Sequence, residues 1–349
     1  SGTVKGFAQT LAIGIIASMF TALVITRLIV NAFYAVGLRS EKLYYRPKKE
    51  REPIDFLSKK KVFFTISLVL IAAGVITIGI NEGRGKGAFA YSLEFQGGTS
   101  TNVTFDKDYS IDEIDKEIVP VVEKVTGDNN VQTQKVAGTN QVIIKTVTLD
   151  LDKREALNKA MVDNFGVDES KITAENISST VSNEMRRDAV IAVVIATICM
   201  LLYIWFRFKD IRFATSAVLA LLHDVLVVVG FYAIARISVG NTFIACILTI
   251  VGYSINATIV IFDRIREEMR GKTKSSDIAV VVNKSITQTL TRSIYTSLTT
   301  FIMVAVLYVM GVSSIKEFAL PLMVGVVCGA YSSVCITGAL WYVMKRFKK

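Results

Sequence analysis

The stretch FATSAVLALLHDVLVVVGFYAIA, residues 213–235, decides the fold class. Its 23 residues include one histidine and one acidic residue, the adjacent His223 and Asp224, and these lie near the middle. A helix needs about 20 mostly apolar residues to cross the hydrocarbon core of a bilayer. The stretch therefore predicts a membrane-spanning helix. Because ionisable groups inside a span are costly, His223 and Asp224 are candidates for function.

Six other stretches have the same character, so the sequence predicts a polytopic α-helical membrane protein with spans near 7–30, 62–80, 188–206, 213–235, 242–262, 290–311 and 318–343. The composition agrees, with 52% hydrophobic and 20% charged residues and a mean hydropathy of +0.47. Soluble domains carry about a quarter charged residues, so a soluble enzyme is excluded. The net charge of +10 does not predict nucleic-acid binding, because the basic residues lie beside apolar runs.

Lysine and arginine are distributed unevenly among the loops, which predicts the orientation of the chain. Four basic segments hold 22 of them, with nine in 39–61, three in 207–212, six in 264–289 and four after Met344. The opposite side has one in each of two short loops, 236–241 and 312–317. Basic loops face the cytoplasm, so we expect a cytoplasmic C-terminus and an extracytoplasmic segment at 81–187.

Segment 81–187 is polar and has the pattern of a separate α+β domain. Alternating residues predict strands, and apolar residues at helical spacing predict two helices. In chain order these elements are a strand at 99–106, a helix at 111–125, strands at 130–137 and 141–149 around a turn at 138–140, a helix at 152–165 and a strand at 171–178. The order βαββαβ is that of a ferredoxin-like sandwich, so we expect one extracytoplasmic ferredoxin-like domain.

The other segments complete the predicted organisation. A first helix occupies 1–38, a basic cytoplasmic linker 39–61 leads to the span 62–80, and a five-helix bundle occupies 188–349. Residues 265–290 favour an interfacial helix on the cytoplasmic leaflet, with a plain connector as the alternative. The chain opens with SGTVKGFAQT and shows no initiator Met, basic n-region or cleavage site. We therefore expect it to be a fragment or a processed half of a longer polypeptide.

Polar groups recur where lipid is expected. Besides His223 and Asp224, they are Ser254, Asn256 and Thr258 in one span, Arg292 at the start of the next, and the pair Asp263-Arg264 at a helix end. Each has a structural alternative: a hydrogen-bonded pair between helices for His223 and Asp224, hydrogen bonds between helices for the hydroxyl and amide groups, and an interfacial ion pair for Asp263-Arg264. Arg292 has the alternative of extending to the lipid headgroups. The spacing Gly325–Gly329 fits close helix contact and also arises by chance.

Known enzyme motifs are absent from the sequence. It contains no GxxxxGK[ST] loop, no HExxH and no GxSxG, so we expect neither an enzyme nor a resident cofactor. The four cysteines lie in apolar runs without a CxxC pair, and one histidine excludes multi-histidine metal sites. A transporter without an ATPase motif has to use an ion gradient or a partner.

Several stretches resemble the SecF half of the bacterial SecD/SecF protein-export family, in the RND superfamily. They are LEFQGGTS (93–100), ALLHDVLVVVGFYAI (220–234), GYSINATIVIFDRIRE (252–267), TRSIYTSLTT (291–300) and FALPLMVGVVCGAYSSVCI (318–336). The opening GTVKGFAQTLAIGIIASMFTALVITR (2–27) is similar to the last span of a SecD half. Together the resemblance covers most of the chain.

The resemblance implies an accessory subunit of the Sec translocon in the bacterial cytoplasmic membrane, which uses the proton or sodium gradient late in preprotein export. It implies a SecD half, the SecYEG channel, a YidC-type insertase, YajC, unfolded preprotein and membrane lipid as partners, with SecA contacted indirectly and no nucleic acid. The expected ion relay comprises Arg292, Asn256, Thr258, His223 and Asp224. The alternatives are a non-conducting scaffold for SecYEG and an insertase, and an RND-type exporter of lipids or drugs.

One position departs from the family pattern. Relatives normally read SINDT in this span, and the aspartate takes part in proton passage, whereas this chain has Ala257 there. A methyl group cannot bind a proton. Three explanations follow: the position was altered to block the carrier, the gradient acts through the SecD half alone, or this homologue does not couple. A gain of gradient-dependent export on Ala257→Asp would support a carrier role for this position.

Overall fold

A computed structural model describes residues 2–40, 44, 52–85, 87–128, 131–136, 139–270, 277–310 and 313–346. Its helices are α1 Gly2–Phe20, α2 Thr26–Ala35, α3 Lys60–Gly83, α4 Leu93–Gln96, α5 Ile111–Glu113, α6 Val119–Thr126, α7 Leu151–Phe165, α8 Ser179–Phe208, α9 Ile211–Ala235, α10 Asn241–Met269, α11 Ile278–Met310, α12 Ser313–Tyr331 and α13 Gly338–Arg346. Its strands are β1 Ala90–Tyr91, β2 Gly98–Thr104, β3 Gln132–Lys135, β4 Gln141–Thr146, β5 Ile172–Ile177 and β6 Ser238–Val239.

Seven helical segments of the described residues are long and apolar enough to cross a membrane, which confirms the predicted number of spans. The first joins α1 to α2 through a π-helical turn at Thr21–Ile25, and the last joins α12 to α13 through another at Ser332–Thr337. The chain is therefore a multi-pass membrane protein. Residues 41–43 and 45–51 of the basic linker predicted at 39–61 lie outside the described residues.

The spans divide into a central and a peripheral set. In the most apolar stretches of α9, α10 and the α12–α13 segment, 50–61% of the residues are buried, against 0–11% in the α1–α2 segment, α3 and α8. Aromatic rings fill one end of the centre, where Phe213 stacks on Trp341 at 4.8 Å and meets Phe262 edge-on at 4.6 Å. The central helices thus form the core that positions the site.

The separate interfacial helix predicted at 265–290 is not found among the described residues. Residues up to Met269 continue α10, and Ile278–Met310 is one uninterrupted helix of 33 residues. No Gly or Pro interrupts α11, so nothing in its sequence ends the helix. Its apolar face packs into the bundle instead of onto headgroups, since Val282 and Ile286 are at most 1% exposed. Residues 271–276 lie outside the described part of the chain.

The end of the predicted linker docks onto α11. The amide of Ile54 donates to Thr287 Oγ1 at 2.9 Å, and those of Phe56 and Leu57 donate to Asn283 Oδ1 at 3.2 Å each. Asn283 Nδ2 donates in turn to Asp55 at 2.8 Å. These bonds satisfy three backbone donors, of which that of Leu57 is buried, and they tie the entry into α3 to α11.

The soluble segment between α3 and α8 contains a four-stranded antiparallel sheet. Its order is β3-β4-β2-β5, and its strands and main helices follow one another as β, α, β, β, α, β. Apolar residues of the sheet and of α6 and α7 share one core, in which Val103, Ile118, Ile144 and Leu157 have no exposed surface. Residues 129–130 and 137–138, at the ends of the predicted strand 130–137, lie outside the described residues.

A second, two-stranded sheet attaches this domain to the bundle and was not predicted. β1 pairs in parallel with β6, which lies between α9 and α10. The Arg236 guanidinium, just before β6, donates to the carbonyl of Gly87 at 2.8 Å. Because these contacts join distant parts of the chain, they hold the soluble domain against one end of the central helices.

Two glycine contacts let the helices approach closely. A Cβ on Gly74 of α3 would lie 2.6 Å from the backbone of Gly230 in α9. A Cβ on Gly325 of α12 would lie 2.3 Å from Ile250 of α10. Small residues at such crossings are what bring membrane helices together. The second contact brings α12 close to the face of α10 that carries Ser254.

Candidate ion-relay site

Asp224 is the centre of a buried hydrogen-bond network. Its side chain has no exposed surface, and its Oδ2 accepts hydrogen bonds from Ser254 Oγ at 2.6 Å and Ser332 Oγ at 2.7 Å. Its Oδ1 lies 2.9 Å from His223 Nδ1. One carboxyl group therefore connects α9, α10 and the π-helical turn after α12. Buried carboxyl groups require such partners, because an unsatisfied one is very costly.

The π-helical turn places Ser332 in this network. A π-helical turn is wider than an α-helical one, and such turns are frequent at functional sites. Ser333 Oγ donates to the carbonyl of Gly329, and Thr337 Oγ1 donates to the carbonyl of Ser332 at 3.0 Å. These hydroxyl groups satisfy carbonyls that the changed helical pitch releases. Ser332 was missed by the sequence analysis, since no sequence signal marks a π-helical turn.

His223 extends the network toward Tyr331. Its ring centroid lies 6.1 Å from that of Tyr331, whose hydroxyl donates to the Phe63 carbonyl at 2.7 Å. His223 Nε2 is buried and has no hydrogen-bond partner among the described residues. Ligand atoms of His223, Asp224 and Cys328 lie within 4.8 Å of one another. A structural zinc site has four protein ligands, whereas this trio offers three. Asp224 also already accepts hydrogen bonds. The arrangement therefore fits a hydrogen-bonded carboxyl group better than a metal site.

A second group of predicted residues lies elsewhere on α10 and α11. Asn256, Ala257 and Arg292 line one small cavity of about 50 Å³, together with Tyr253, Val260, Ser293 and Thr296. Asn256 and Arg292 are exposed on the surface of the chain. Within the described residues, the Arg292 guanidinium has no hydrogen bond or ion pair. The cavity is therefore a polar notch in an otherwise apolar surface.

The predicted relay residues thus divide between two places. His223 and Asp224 lie in the buried network, whereas Asn256, Ala257 and Arg292 line the cavity. Thr258 is 2% exposed and lies one helical turn after Ser254, on the interior face of α10. None of the hydrogen-bond partners of Asp224 lines the cavity. The helix α10 contributes to both places and is the element that connects them.

Asp263 and Arg264 do not pair with each other, contrary to the expectation of a helix-end pair. Asp263 accepts hydrogen bonds from Arg207 of α8 at 3.0 and 3.1 Å. Arg264 points the other way and pairs with Glu267 at 2.6 Å and Glu268 at 3.1 Å. Neighbouring residues on a helix point about 100° apart, so adjacent charges readily find different partners.

The comparisons with known proteins agree with this architecture. The family model described as protein export membrane protein SecD/SecF, C-terminal, matches residues 157–347. The protein translocase subunit SecF of Petrotoga mobilis is 36% identical over 85% of this chain and 98% of its own length. The chain belongs to the SecD/SecF family. Its membership confirms the resemblance seen in the sequence.

Fused SecDF relatives match a larger part of the chain. The protein translocase subunit SecDF of Brucella abortus is 34% identical over 97% of this chain and 44% of its own length. The crystal structure of SecDF from Thermus thermophilus matches with a TM-score of 0.82 and 31% identity, covering 99% of this chain and 46% of that chain. The chain therefore spans about half the length of the SecDF relatives and nearly all of the SecF relative. Its helices have the membrane fold of SecDF.

Proposed function

We propose that this chain is the SecF side of an accessory membrane subunit of the Sec translocon, and that it uses the proton or sodium gradient to promote late steps of preprotein export. Family membership supports a role in protein export. The observation that carries the proposal is the buried carboxyl group of Asp224, bonded to hydroxyl groups of two other helical segments. It is not an enzyme in this proposal, and it needs no cofactor.

The orientation follows from the basic loops. The soluble domain between α3 and α8 lies outside the cytoplasm, and the C-terminus lies in the cytoplasm of a bacterial cell. The domain is ferredoxin-like in this proposal, and its element order and sheet order support that class. An emerging unfolded preprotein meets this domain, and the β1–β6 pairing connects the domain to the end of α9.

The carboxyl group of Asp224 acts as the switch. When ionised, Oδ2 accepts two hydroxyl hydrogen bonds, one from α10 and one from the turn after α12. A proton on this oxygen makes it a donor, so it can no longer keep both bonds. A sodium ion would compete with the hydroxyl protons for the same lone pairs. Binding of either ion therefore changes how α9 packs against α10 and α12, and helices packed this closely shift as units.

The cavity at Arg292 is the entrance of the relay. Asn256 and Arg292 face outward from the chain, where the rest of a SecD half contacts them in this proposal. A cation fixed inside a membrane needs a partner, and a carboxylate of the SecD half supplies it. Ala257 leaves this side of the cavity without a carboxyl group. The gradient then acts through the SecD carboxylate and the Asp224 network.

The proposed partners follow from the same assignment. They are the SecD half, the SecYEG channel, a YidC-type insertase and YajC, with SecA engaged indirectly through the channel. The names of the relatives support association with the translocon, since they are protein translocase subunits. Unfolded preprotein is the cargo, and no nucleic acid is involved.

Gradient-dependent export in vesicles tests the proposal. Vesicles containing SecYEG, a SecD half and this chain are compared with and without an ionophore that collapses the gradient. Asp224→Asn, which keeps the size of the side chain, removes most of the gradient-dependent part of export. Asp263→Asn is the matched control at an exposed carboxylate and leaves that part intact. Equal export by Asp224→Asn and the unsubstituted chain would show that the switch is wrong.

Two further variants test the cavity in the same vesicles. Arg292→Ala lowers gradient-dependent export. Arg292→Lys is expected to retain part of this export, because it keeps the positive charge but lacks the planar fork of a guanidinium. Ala257→Asp raises gradient-dependent export. If Arg292→Ala has no effect, its relay role is wrong, and without a gain from Ala257→Asp the position has no carrier role.

Ala257 also favours a second candidate, a non-conducting scaffold that organises SecYEG and an insertase. The scaffold predicts that omitting the chain lowers export, while collapsing the gradient changes nothing.

A further inference from the structure

An apolar crevice opens on the surface of the bundle next to the soluble domain. It has a volume of about 380 Å³ and lies between α8, α9 and α10, with aromatic residues of the β1 region at one end. Valines line most of its length, including Val190 and Val194 of α8 and Val229 of α9. Val190 and Val194 are 63% and 50% exposed, so the crevice is open toward the bilayer.

One cationic side chain lies at the end of this crevice. The Arg186 guanidinium stands 4.7 Å from the centre of the Tyr91 ring, and both residues line the crevice. Its Nε is buried and has no hydrogen-bond partner among the described residues. A buried donor without an acceptor is costly, so this position favours an anionic ligand. The neighbouring Arg187 does not line the crevice: it is exposed and forms an ion pair with the exposed Asp188 at 3.7 Å.

We propose that this crevice binds one anionic phospholipid. An acyl chain fills the apolar part, and the headgroup phosphate accepts hydrogen bonds from Arg186. Guanidinium groups suit phosphate because their planar fork matches its oxygens. The site is independent of the ion relay, since none of its lining residues belongs to the Asp224 network or the Arg292 cavity.

The dimensions fit a single leaflet. Arg186 and Val194 are eight residues apart on α8, which is about 12 Å along a helix. Half of a hydrocarbon core is about 15 Å thick. The crevice therefore runs from the interface on the side of the soluble domain toward the middle of the bilayer. An acyl chain of that leaflet reaches its inner end while its phosphate stays level with Arg186.

A second crevice provides an internal control. It has a volume of about 450 Å³ and lies between α3, α9, α11 and α12, with Ile66, Val227 and Val327 among its lining residues. No charged side chain lines it. We expect acyl chains to enter it without preference for a headgroup, so substitutions there separate general lipid contact from the proposed site.

Native mass spectrometry of the full chain in detergent tests the proposal. The chain is titrated with phosphatidylglycerol or phosphatidylcholine that carry identical acyl chains. Phosphatidylcholine has the same phosphate, but its choline cation offsets the negative charge beside Arg186. One phosphatidylglycerol is therefore expected to bind about tenfold more tightly than phosphatidylcholine, a difference of about 1.4 kcal/mol. Arg186→Gln removes this preference, and Arg186→Lys keeps part of it. Val194→Trp fills the crevice and weakens binding of that one lipid, whereas Val327→Trp in the second crevice leaves it unchanged.

Three results would overturn the proposal. They are equal affinity for the two lipids, an unchanged preference in Arg186→Gln, and binding of glycerol 3-phosphate as tight as that of phosphatidylglycerol. The last result would identify a phosphate site that does not use the acyl chain. If an Arg186 variant does not fold, Val194→Trp still tests the proposal. Val194 is half exposed, so the fold can accommodate a larger side chain there, and this variant keeps Arg186.

Discussion

The Asp224 network and the Arg292 cavity place ionisable groups in the same bundle under opposite conditions. Asp224 has no exposed surface and every oxygen of its carboxyl group has a partner. Arg292 is exposed, and its guanidinium has no hydrogen bond or ion pair among the residues that the structure describes. The first group therefore has its partners within the described residues, whereas the second has none there and is open to a partner from outside the chain.

This contrast assigns different consequences to the two places. A change at Asp224 is expected to disturb the packing of three helical segments, and therefore folding and, in the proposed function, activity. A change at Arg292 is expected to leave the fold of this chain intact and, in the proposed function, to affect its contacts with the SecD half. Stability and activity measured on the same variants therefore distinguish an internal switch from an interface.

The largest expected effect is the loss of the buried carboxyl group. Asp224→Ala leaves the Ser254 hydroxyl without its acceptor and leaves the Ser332 hydroxyl only the Gly329 carbonyl at 3.3 Å. We expect a loss of about 3 kcal/mol in the free energy of unfolding. Arg292→Ala is expected to change it by less than about 0.5 kcal/mol. Denaturant unfolding of the purified chain in mixed micelles measures both, and Asp263→Ala is the matched control at an exposed carboxylate. Similar losses of unfolding free energy in Asp224→Ala and Asp263→Ala would show that the buried carboxyl group has no special role in stability.

A packing variant gives the next largest effect. Gly325→Val places a Cβ 2.3 Å from the Ile250 side chain, so either this buried side chain or α12 has to shift. Overpacking of this kind costs about 1–3 kcal/mol. Adding Ile250→Ala to Gly325→Val makes room and is expected to recover part of the loss. The matched Gly252→Val on the outer side of α10, where a Cβ meets nothing within 4 Å, is expected to be nearly neutral.

The sequence was sufficient to predict the spans. It could not show that the polar residues divide between the Asp224 network and the Arg292 cavity. Runs of apolar residues identify membrane helices without tertiary information, so all seven spans were predicted. Ser254, Asn256 and Thr258 looked like one patch, yet residues two apart on a helix lie on nearly opposite faces. In the structure Ser254 and Thr258 face the interior and Asn256 faces outward.

The partners of Asp224 depend on long-range geometry. Ser332 is 108 residues away, and a π-helical turn that no residue type specifies brings it to the carboxyl group. The β1–β6 pairing was missed for a related reason, since strands of two residues leave no periodic pattern. The antiparallel sheet, by contrast, follows from alternation within each strand.

A smaller effect is expected when a carboxylate is added to the cavity. Ala257→Asp gives Arg292 an acid within this chain, and the coupling between the two is expected to be about 0.5 kcal/mol, as for partly exposed ion pairs. A double-mutant cycle with Arg292→Ala, followed by thermal unfolding, measures the coupling. An added carboxylate whose effect is the same with and without Arg292 would show that the two side chains do not meet.

The smallest effect concerns Glu113, an exposed carboxylate that serves as a reference for the buried one. Hydrogen bonds from the Ser110 backbone and from Lys107 lower the pKa of Glu113 from 4.5 to about 2. A lowered pKa stabilises the folded state above pH 4.5, and this stabilisation is lost as the pH falls from 4.5 through 2. Glu113→Gln is expected to flatten that part of the stability curve, measured by circular dichroism. An unchanged stability between pH 4.5 and 2 would show that these hydrogen bonds do not lower the pKa of Glu113.

The titration of a buried carboxyl group tests the central claim most directly. Infrared difference spectra of the chain in lipid, recorded while the pH or the sodium concentration is changed, detect the carbonyl band of a protonated carboxyl group. We predict a band that appears on protonation, diminishes with sodium if sodium is the ion, and is absent in Asp224→Asn but present in Asp263→Asn. A spectrum without a titrating buried carboxyl group, or one identical in Asp224→Asn, would contradict the account.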